Sequence, residues 1–136
     1  MRIFLGGTCN GSKWRESLIP YITCDYFNPV VENWDDAAKE RERYEREHCD
    51  YVLYGITPRM KGVYSIAELV DDSNKRPKRT LFLLLKNDIA DDGSLISFDK
   101  EEMNSLNEVA NMVNRNGGFV FHSLYSFIIF ITKIFG

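Results

Sequence analysis

Five apolar runs, each followed by a segment with helical periodicity, constrain the fold of this chain more than any other feature. The apolar runs are residues 2–5, 26–31, 51–56, 80–85 and 119–121. The segments that fit helices are residues 12–19, 35–48, 62–70, 99–116 and 124–134. Such alternation is typical of a parallel sheet covered by helices. We therefore expect a doubly wound α/β fold, with a five-stranded, mainly parallel sheet and helices on both faces.

Length and composition restrict the class of protein further. The 136 residues suffice for one domain, which we place at 1–136. The net charge of −3 gives no electrostatic basis for binding a nucleic acid polymer. The two histidines are far apart and the three cysteines show no CxxC pairing, so we expect no metal site, no cofactor and no disulfide framework. The odd number of cysteines and the absence of a signal peptide indicate a reducing, cytoplasmic environment.

The C-terminal segment is strongly apolar, but it does not fit a membrane span. Polar residues such as His122 and Lys133 interrupt it, and it falls short of the roughly 20 apolar residues of a spanning helix. We expect no membrane segment, but a terminal helix packed on the sheet or on a partner subunit. So much apolar surface favours a homo-oligomer, at least a dimer.

Glu68 is the main candidate for chemistry. It follows the third apolar run, in a helical segment whose apolar face would be Val63, Ile66, Ala67 and Val70. We place it in the first turn of that helix, at the carboxyl end of a strand, where open α/β sheets bind ligands. The helix dipole would keep a carboxylate ionised there, as a nucleophile requires.

A structural role for Glu68 is the alternative. Ser65 is followed three residues later by Glu68, which is the pattern of a capping box. In that case the carboxylate would close the first turn of the helix.

Two loops near Glu68 in the expected fold are candidates for binding. Residues 6–12 contain three glycines, so their backbone can approach a ligand closely, and Ser12 can cap the next helix. A simple strand-to-helix connection is the alternative for this loop. Phe27 and Asn28 precede Pro29 at the end of the second run, near the rim of the sheet. Residues 87–97 form the longest loop.

Three segments of the chain resemble the nucleoside 2-deoxyribosyltransferase-like family. They are residues 3–15 (IFLGGTCNGSKWR), 25–31 (DYFNPVV) and 62–68 (GVYSIAE). Their order is that of the family, and the resemblance extends over nearly the whole chain. It implies a Rossmann-like fold and oligomers with shared active sites. It also implies cleavage or transfer of the N-glycosidic bond of a deoxyribonucleoside or its 5′-monophosphate, through a covalent deoxyribosyl-Glu intermediate.

The resemblance also implies roles for residues. Glu68 matches the nucleophile, and Glu42 matches an acidic residue that handles the proton of the base, with Glu40 and Glu45 as alternatives. The positions implied in substrate binding are Gly6, Gly7, Thr8, Asn10 and Ser12 in the first loop, Phe27 and Asn28 at the base-facing corner, Gly62, Tyr64 and Ser65 before the nucleophile, and Ser97 or Ser94 from a neighbouring subunit.

Three positions depart from the family pattern. Many members have Asp or Ser where Gly62 stands, a small residue at Tyr64 and Gly at Val70. Gly62 removes a side chain that normally contacts the sugar, and Tyr64 narrows the pocket or stacks on a base. Two alternatives to the transferase follow: a catalytically silent nucleotide-binding or sensing domain, and a hydrolase of a related N-riboside such as a dinucleotide.

Overall fold

The computed structural model describes residues 1–135 and has the α/β architecture expected from the sequence. The strands are β1 (Arg2–Gly7), β2 (Asp25–Phe27), β3 (Tyr51–Ile56), β4 (Thr80–Leu84), β5 (Asn87–Ile89), β6 (Leu95–Ser97) and β7 (Phe119–Phe121). The helices are α1 (Trp14–Leu18), α2 (Asp36–His48), α3 (Tyr64–Lys75), α4 (Lys100–Asn116) and α5 (Leu124–Phe135). Short 3₁₀ turns at Ile19–Tyr21 and Pro77–Arg79 follow α1 and α3.

The five apolar runs form one sheet in the order β2-β1-β3-β4-β7. Every neighbouring pair in this sheet is parallel, as the alternation with helices predicted. β2 and β3 lie on opposite sides of β1, and the three strands run in the same direction. The loops that follow them therefore meet at one edge of the sheet, at the carboxyl ends of these strands. This is the edge at which open α/β sheets bind ligands.

Alternate side chains of the strands build two separate cores on the two faces. On one face Phe4, Tyr54 and Phe82 pack with Leu69 of α3 and Leu106 of α4. The opposite core contains Ile3, Leu5, Leu53, Leu81 and Leu83 from the sheet, Trp14 and Leu18 from α1, and Phe127 and Ile131 from α5. Helices therefore cover both faces, which confirms the doubly wound fold.

The C-terminal helix packs on the sheet. Phe127 and Ile131 are buried there, whereas Tyr125 and Ile129 face outwards. Within residues 1–135, no helix combines the length and the apolar character that crossing a bilayer requires.

The segment 87–97 is a hairpin rather than the long loop expected from its sequence. β5 and β6 pair antiparallel, with a turn between them in which Gly93 has φ +85°. The expectation was wrong because both strands are short and mostly exposed, so they lack the apolar alternation by which a strand is recognised.

The start of α3 also differs from its sequence pattern. Val63 is the N-cap residue and no side chain caps this helix, so the capping box of Ser65 and Glu68 is not formed. Glu68 lies in the second turn rather than the first. The structural alternative for Glu68 is therefore wrong.

The buried face of α3 is not the apolar stripe predicted for it. Val63 and Ala67 are exposed, and the fully buried positions are Leu69, Asp72 and Ser73. Polar side chains occupy this face because hydrogen bonds satisfy them, which hydrophobic periodicity cannot reveal.

Candidate active site

A cavity of about 280 Å³ opens at the carboxyl ends of β1, β2 and β3. The loop after β1, the loop after β2, one side of α2 and the start of α3 form its walls. Its lining residues are Gly6, Gly7, Cys9, Arg15, Pro29, Val30, Val31, Trp34, Glu42, Tyr64, Ser65 and Glu68. Both carboxylates singled out from the sequence therefore face the same space.

A second cavity of about 400 Å³ adjoins the first. The two share Trp34, Glu42, Tyr64 and Glu68 in their walls, so the carboxylates lie where the cavities meet. The remaining lining residues of the second cavity are Lys39, Arg43 and Arg46. One cavity thus has apolar walls next to the carboxylates, and the other has cationic walls.

The Glu68 carboxylate is nearly enclosed. Its side chain is 11% exposed, and Oε2 lies 3.5 Å from Nε of Arg46. Burial raises the pKa of Glu68 to about 7, since the attraction of Arg46 offsets only part of the desolvation and Glu42 adds repulsion. The expectation of a dipole-stabilised carboxylate in the first turn was wrong, because Glu68 lies one turn further along and is desolvated by the protein around it.

Arg46 is held in place by a buried network. Its Nε donates to Tyr54 Oη at 2.9 Å and to Asp72 Oδ2 at 3.1 Å. Tyr54 in turn donates to Asp72 at 2.6 Å, and burial raises the pKa of this phenol well above its usual range. Arg76 also binds Asp72. The cation beside Glu68 therefore has a fixed position, set by an aspartate that is fully buried.

Glu42 forms the other half of the pair. Burial raises its pKa as well, opposed by the positive charges of Arg15 and Arg46. The two alternatives named for its role lie elsewhere: Glu40 is exposed, and Glu45 is bound to Arg2 at 2.9 Å. Of the three acidic residues considered on α2, Glu42 is the one that lines the cavities.

Arg15 is a buried cation beside the first loop. Its guanidinium donates to the carbonyl oxygens of Leu5, Gly7 and Thr8 at 2.9, 3.1 and 2.6 Å. It also stacks on Trp14, 4.5 Å from the ring centroid. Arg15 thereby fixes the course of the loop while its charge acts on Glu42.

Gly7 allows β1 and β3 to approach each other closely. Its φ is +109°, and a Cβ atom there would lie 2.1 Å from the carbonyl oxygen of Gly55 on β3. The side chain of Thr8 is used in the same contact between strand ends, because its Oγ1 accepts from the amide of Thr57 at 3.0 Å. The close contact between the ends of β1 and β3 therefore accounts for Gly7 and Thr8, and no bound ligand is needed to explain these two residues.

Asn10 and Gly62 line a smaller cavity of about 160 Å³ next to the first. Asn10 has φ +51°, and its side chain donates to the carbonyl oxygen of Arg59 at 3.1 Å. A Cβ atom at Gly62 would have nothing within 4 Å. Tyr64 and Ser65 line both this smaller cavity and the first one, so the two cavities meet at these residues.

Several serines predicted to bind substrate are engaged around the β5–β6 hairpin instead. Ser12 does not cap α1, whose N-cap residue is Lys13, but donates to Asp88 at 2.6 Å. Ser97 donates to Asn87 at 2.5 Å and Ser94 to Asp92 at 2.6 Å. These contacts tie the hairpin together and to the first loop.

The corner after β2 contributes through residues other than those predicted. Phe27 stacks on Phe4, with ring centroids 5.9 Å apart, and packs against the core. The Asn28 side chain accepts from the amide of Val30 at 3.1 Å and so shapes the turn. Neither lines the first cavity, whereas Val30 and Val31 do.

Nine lining residues of the two cavities were missed as site residues from the sequence: Cys9, Arg15, Pro29, Val30, Val31, Trp34, Lys39, Arg43 and Arg46. Arg15 gave one usable signal, because it is a charged residue between Trp14 and Leu18 on a short helix with a buried side. Arg46 stands among many charged residues of α2, and no spacing distinguishes it. Trp34 lies in a loop without periodicity.

Comparisons of the chain with protein-family models, with curated proteins and with solved structures find no match. In the described part of the chain, no group of three or more His, Cys, Asp or Glu side chains could hold a metal ion.

Proposed function

We propose that this protein cleaves or transfers the N-glycosidic bond of a deoxyribonucleoside or its 5′-monophosphate. One observation carries the proposal: two carboxylates, Glu68 nearly enclosed and Glu42 partly buried, both with raised pKa, line the same cavity at the carboxyl ends of the parallel strands. Paired carboxylates of this kind supply the nucleophile and the acid in glycosidic bond cleavage. The resemblance to nucleoside 2-deoxyribosyltransferases adds the class of substrate.

In the first step, Glu68 attacks C1′ of the sugar and the bond between C1′ and the base nitrogen breaks. The electron pair of that bond stays on the base, and protonated Glu42 supplies a proton to it. In the second step, Glu42 removes a proton from an incoming base or water, which attacks C1′ and releases Glu68 as a carboxylate. Two displacements at C1′ give net retention of configuration.

Nearby charges and burial act on both carboxylates in this division of roles. Arg46 lies against Glu68 and favours its ionised form, which a nucleophile needs. The raised pKa of Glu42 favours the protonated form, which a proton donor needs. Ionisation of Glu68, whose pKa is about 7, favours the reaction and loss of the proton from Glu42 opposes it, so kcat/KM of the free enzyme should pass through a maximum as the pH rises.

Two exposed aromatic side chains support a planar ligand. Trp34 is 52% exposed and Tyr64 73% exposed, and both line the cavities that contain the carboxylates. Stacking of a base on an aromatic ring is worth about 1–3 kcal/mol. Exposed rings at this place can therefore contribute to binding a nucleobase.

A catalytically silent nucleotide-binding domain is the alternative, and Gly62 favours it. The position is open, with nothing within 4 Å of a Cβ atom, whereas many members of the family that the chain resembles have Asp or Ser there. A binder of this kind would retain the cavity without chemistry.

The test is incubation with the common deoxyribonucleosides and their 5′-monophosphates, with and without an added free base. We expect release or exchange of base by the parent, with a loss of at least about 100-fold in Glu68→Gln and in Glu42→Gln. Glu108→Gln on the exposed side of α4 is the matched control and should retain full activity. Ligand binding without any turnover by the folded parent would contradict the proposal in favour of the silent domain.

The acceptor experiment separates the two active alternatives. A transferase exchanges bases and needs the free base to complete its cycle. A hydrolase releases base at the same rate without an acceptor, and water then resolves the covalent intermediate.

A further inference from the structure

One face of α2 presents charged side chains to the second cavity. Lys39, Glu42, Arg43 and Arg46 stand at i, i+3, i+4 and i+7, so they share a face of the helix, and all four line this space together with Glu68. Three of the four are cations. The side of this cavity that α2 forms is therefore positively charged, apart from the carboxylate of Glu42.

The cations of this face differ in how they are used. Arg46 binds Tyr54, Asp71 and Asp72. By contrast, the side chains of Lys39 and Arg43 form no ion pair and no hydrogen bond within residues 1–135. Two like charges at i and i+4 repel each other on a helix, and among residues 1–135 Glu42, the carboxylate on the same face, forms an ion pair with neither of them.

The position of the two free cations suits a phosphate group. Side chains at i and i+4 start about 5–6 Å apart, so an ammonium and a guanidinium can both reach the oxygens of one phosphate. Both residues are exposed, while Glu42 and Glu68 lie deeper in the cavity. A phosphate at the rim would thus contact the cations before it met the carboxylates.

We propose that Lys39 and Arg43 form a phosphate subsite for a phosphate group that the substrate carries. The inference rests on the proposed function and restricts the class of substrate, because a phosphate subsite favours the nucleotide over the nucleoside. It also orients the ligand. With C1′ at the carboxylates and the phosphate in the cationic cavity, the base enters the first cavity, whose walls include Pro29, Val30 and Val31.

The test measures binding rather than turnover, so that it does not depend on catalysis. Titration calorimetry is carried out on Glu68→Gln with deoxyribonucleoside 5′-monophosphates, with the matching deoxyribonucleosides and with inorganic phosphate. We expect the nucleotides to bind about 10- to 100-fold more tightly than the nucleosides at low salt. Adding Lys39→Ala and Arg43→Ala should remove this preference.

The matched control adds Lys100→Ala and Arg115→Ala, which remove the same charge from exposed positions of α4. Circular dichroism checks that each variant is folded. The control should retain the preference for nucleotides.

The remaining outcomes either contradict the phosphate subsite or show that it exists in a protein without the glycosidic reaction. Equal affinity for nucleotides and nucleosides, no binding of either, or a preference that survives the loss of Lys39 and Arg43 overturns it. Inorganic phosphate that binds as tightly as the nucleotides indicates a site for a free anion and overturns a phosphate carried by the substrate. A preference that depends on the two cations, in a parent that turns over nothing, supports the subsite and contradicts the glycosidic reaction.

Discussion

At the residue scale, the burial of Glu68 lowers the stability of the folded protein when this carboxylate is ionised. Its pKa is raised from 4.5 to about 7, so the folded protein holds a proton more tightly than the unfolded chain. The folded state is therefore favoured below about pH 4.5, and this contribution is lost as the pH rises through 7. A carboxylate retained in spite of this cost fits a functional role.

The first prediction concerns Glu68→Gln. The amide cannot ionise, so at pH 8 the variant should exceed the parent in free energy of unfolding by an amount on the order of 2–3 kcal/mol. The difference should disappear near pH 4.5, where the parent is protonated as well. Urea unfolding at both pH values measures this, with Glu108→Gln as the control. Equal stability of Glu68→Gln and parent at pH 8 would show that burial does not raise this pKa.

The second prediction separates two requirements for glycine. Gly7→Ala should lower the free energy of unfolding by more than about 2 kcal/mol, because the new Cβ meets the backbone of Gly55 and φ is positive. Gly93→Ala is the matched control, since φ is +85° but nothing lies within 4 Å. It should cost only about 1 kcal/mol. Similar losses in the two variants, measured by urea unfolding, would mean that strand contact does not require Gly7.

At the element scale, α2 and α3 are joined through polar side chains rather than an apolar seam. Asp72 of α3 accepts from Tyr54 on β3 and from Arg46 on α2, and it is fully buried. Removing one member of such a network leaves an uncompensated buried charge. Because Arg46 contacts Glu68, the same network sets the position of the cation in the site.

The third prediction concerns this network. Asp72→Asn should lower the free energy of unfolding by about 3–5 kcal/mol, since two guanidinium groups lose their buried carboxylate. Asp71→Asn removes a neighbouring carboxylate that also pairs with Arg46 but is 42% exposed. That variant should cost less than about 1 kcal/mol. Thermal unfolding compares the two, and comparable losses would show that burial does not distinguish them.

The elements themselves could largely be predicted from the sequence. The capping box of Asp99 and Glu102 begins α4, and Gly117 with φ +97° follows it, so the local signals there agree with the pattern of apolar residues. The β5–β6 hairpin and the buried side of α3 could not be predicted, because exposed short strands and satisfied polar groups leave no hydrophobic period. Side-chain hydrogen bonds between distant residues decide both cases.

At the scale of the whole molecule, topology explains which site residues could be foreseen. Gly6 and Glu68 follow apolar runs, and a parallel sheet brings the segments after its strands to one edge. Glu42 was predicted from the family resemblance, since its place within α2 gives no such signal. The binding roles of Asn28 and Ser97 were implied by the family resemblance, but their side chains are used in a turn and a hairpin. The cationic side of α2 could not be foreseen as part of the site, because only the fold shows which residues line a cavity.

The surface around the site bears on assembly. Large apolar side chains are exposed in the lining of the first cavity, namely Val30, Val31, Trp34 and Tyr64, and Val63 beside Tyr64 in the chain is exposed as well. On α5 the exposed apolar residues are Tyr125 and Ile129, fewer than the apolar sequence of this helix indicated, since the rest of its described apolar side chains are at least partly buried against the sheet. The mouth of the first cavity is thus the stronger candidate for contact with a second copy of the chain.

The last prediction follows from this distribution. We expect the parent to form a dimer or larger oligomer at micromolar concentration, with the contact at the mouth of the cavity. Val63→Asp places a charge on a side chain that is 69% exposed, so it should dissociate the oligomer without disturbing the core. Ile129→Asp is the control, an equally large change on the exposed side of α5, and should leave the oligomer intact. Light scattering measures the mass of each.

A monomeric parent would contradict the prediction, and dissociation by Ile129→Asp alone would move the contact to α5. If Val63→Asp both dissociates the protein and weakens nucleotide binding, the second copy contributes to the wall of the cavity, because Val63 itself lies outside the lining of both cavities that contain the carboxylates.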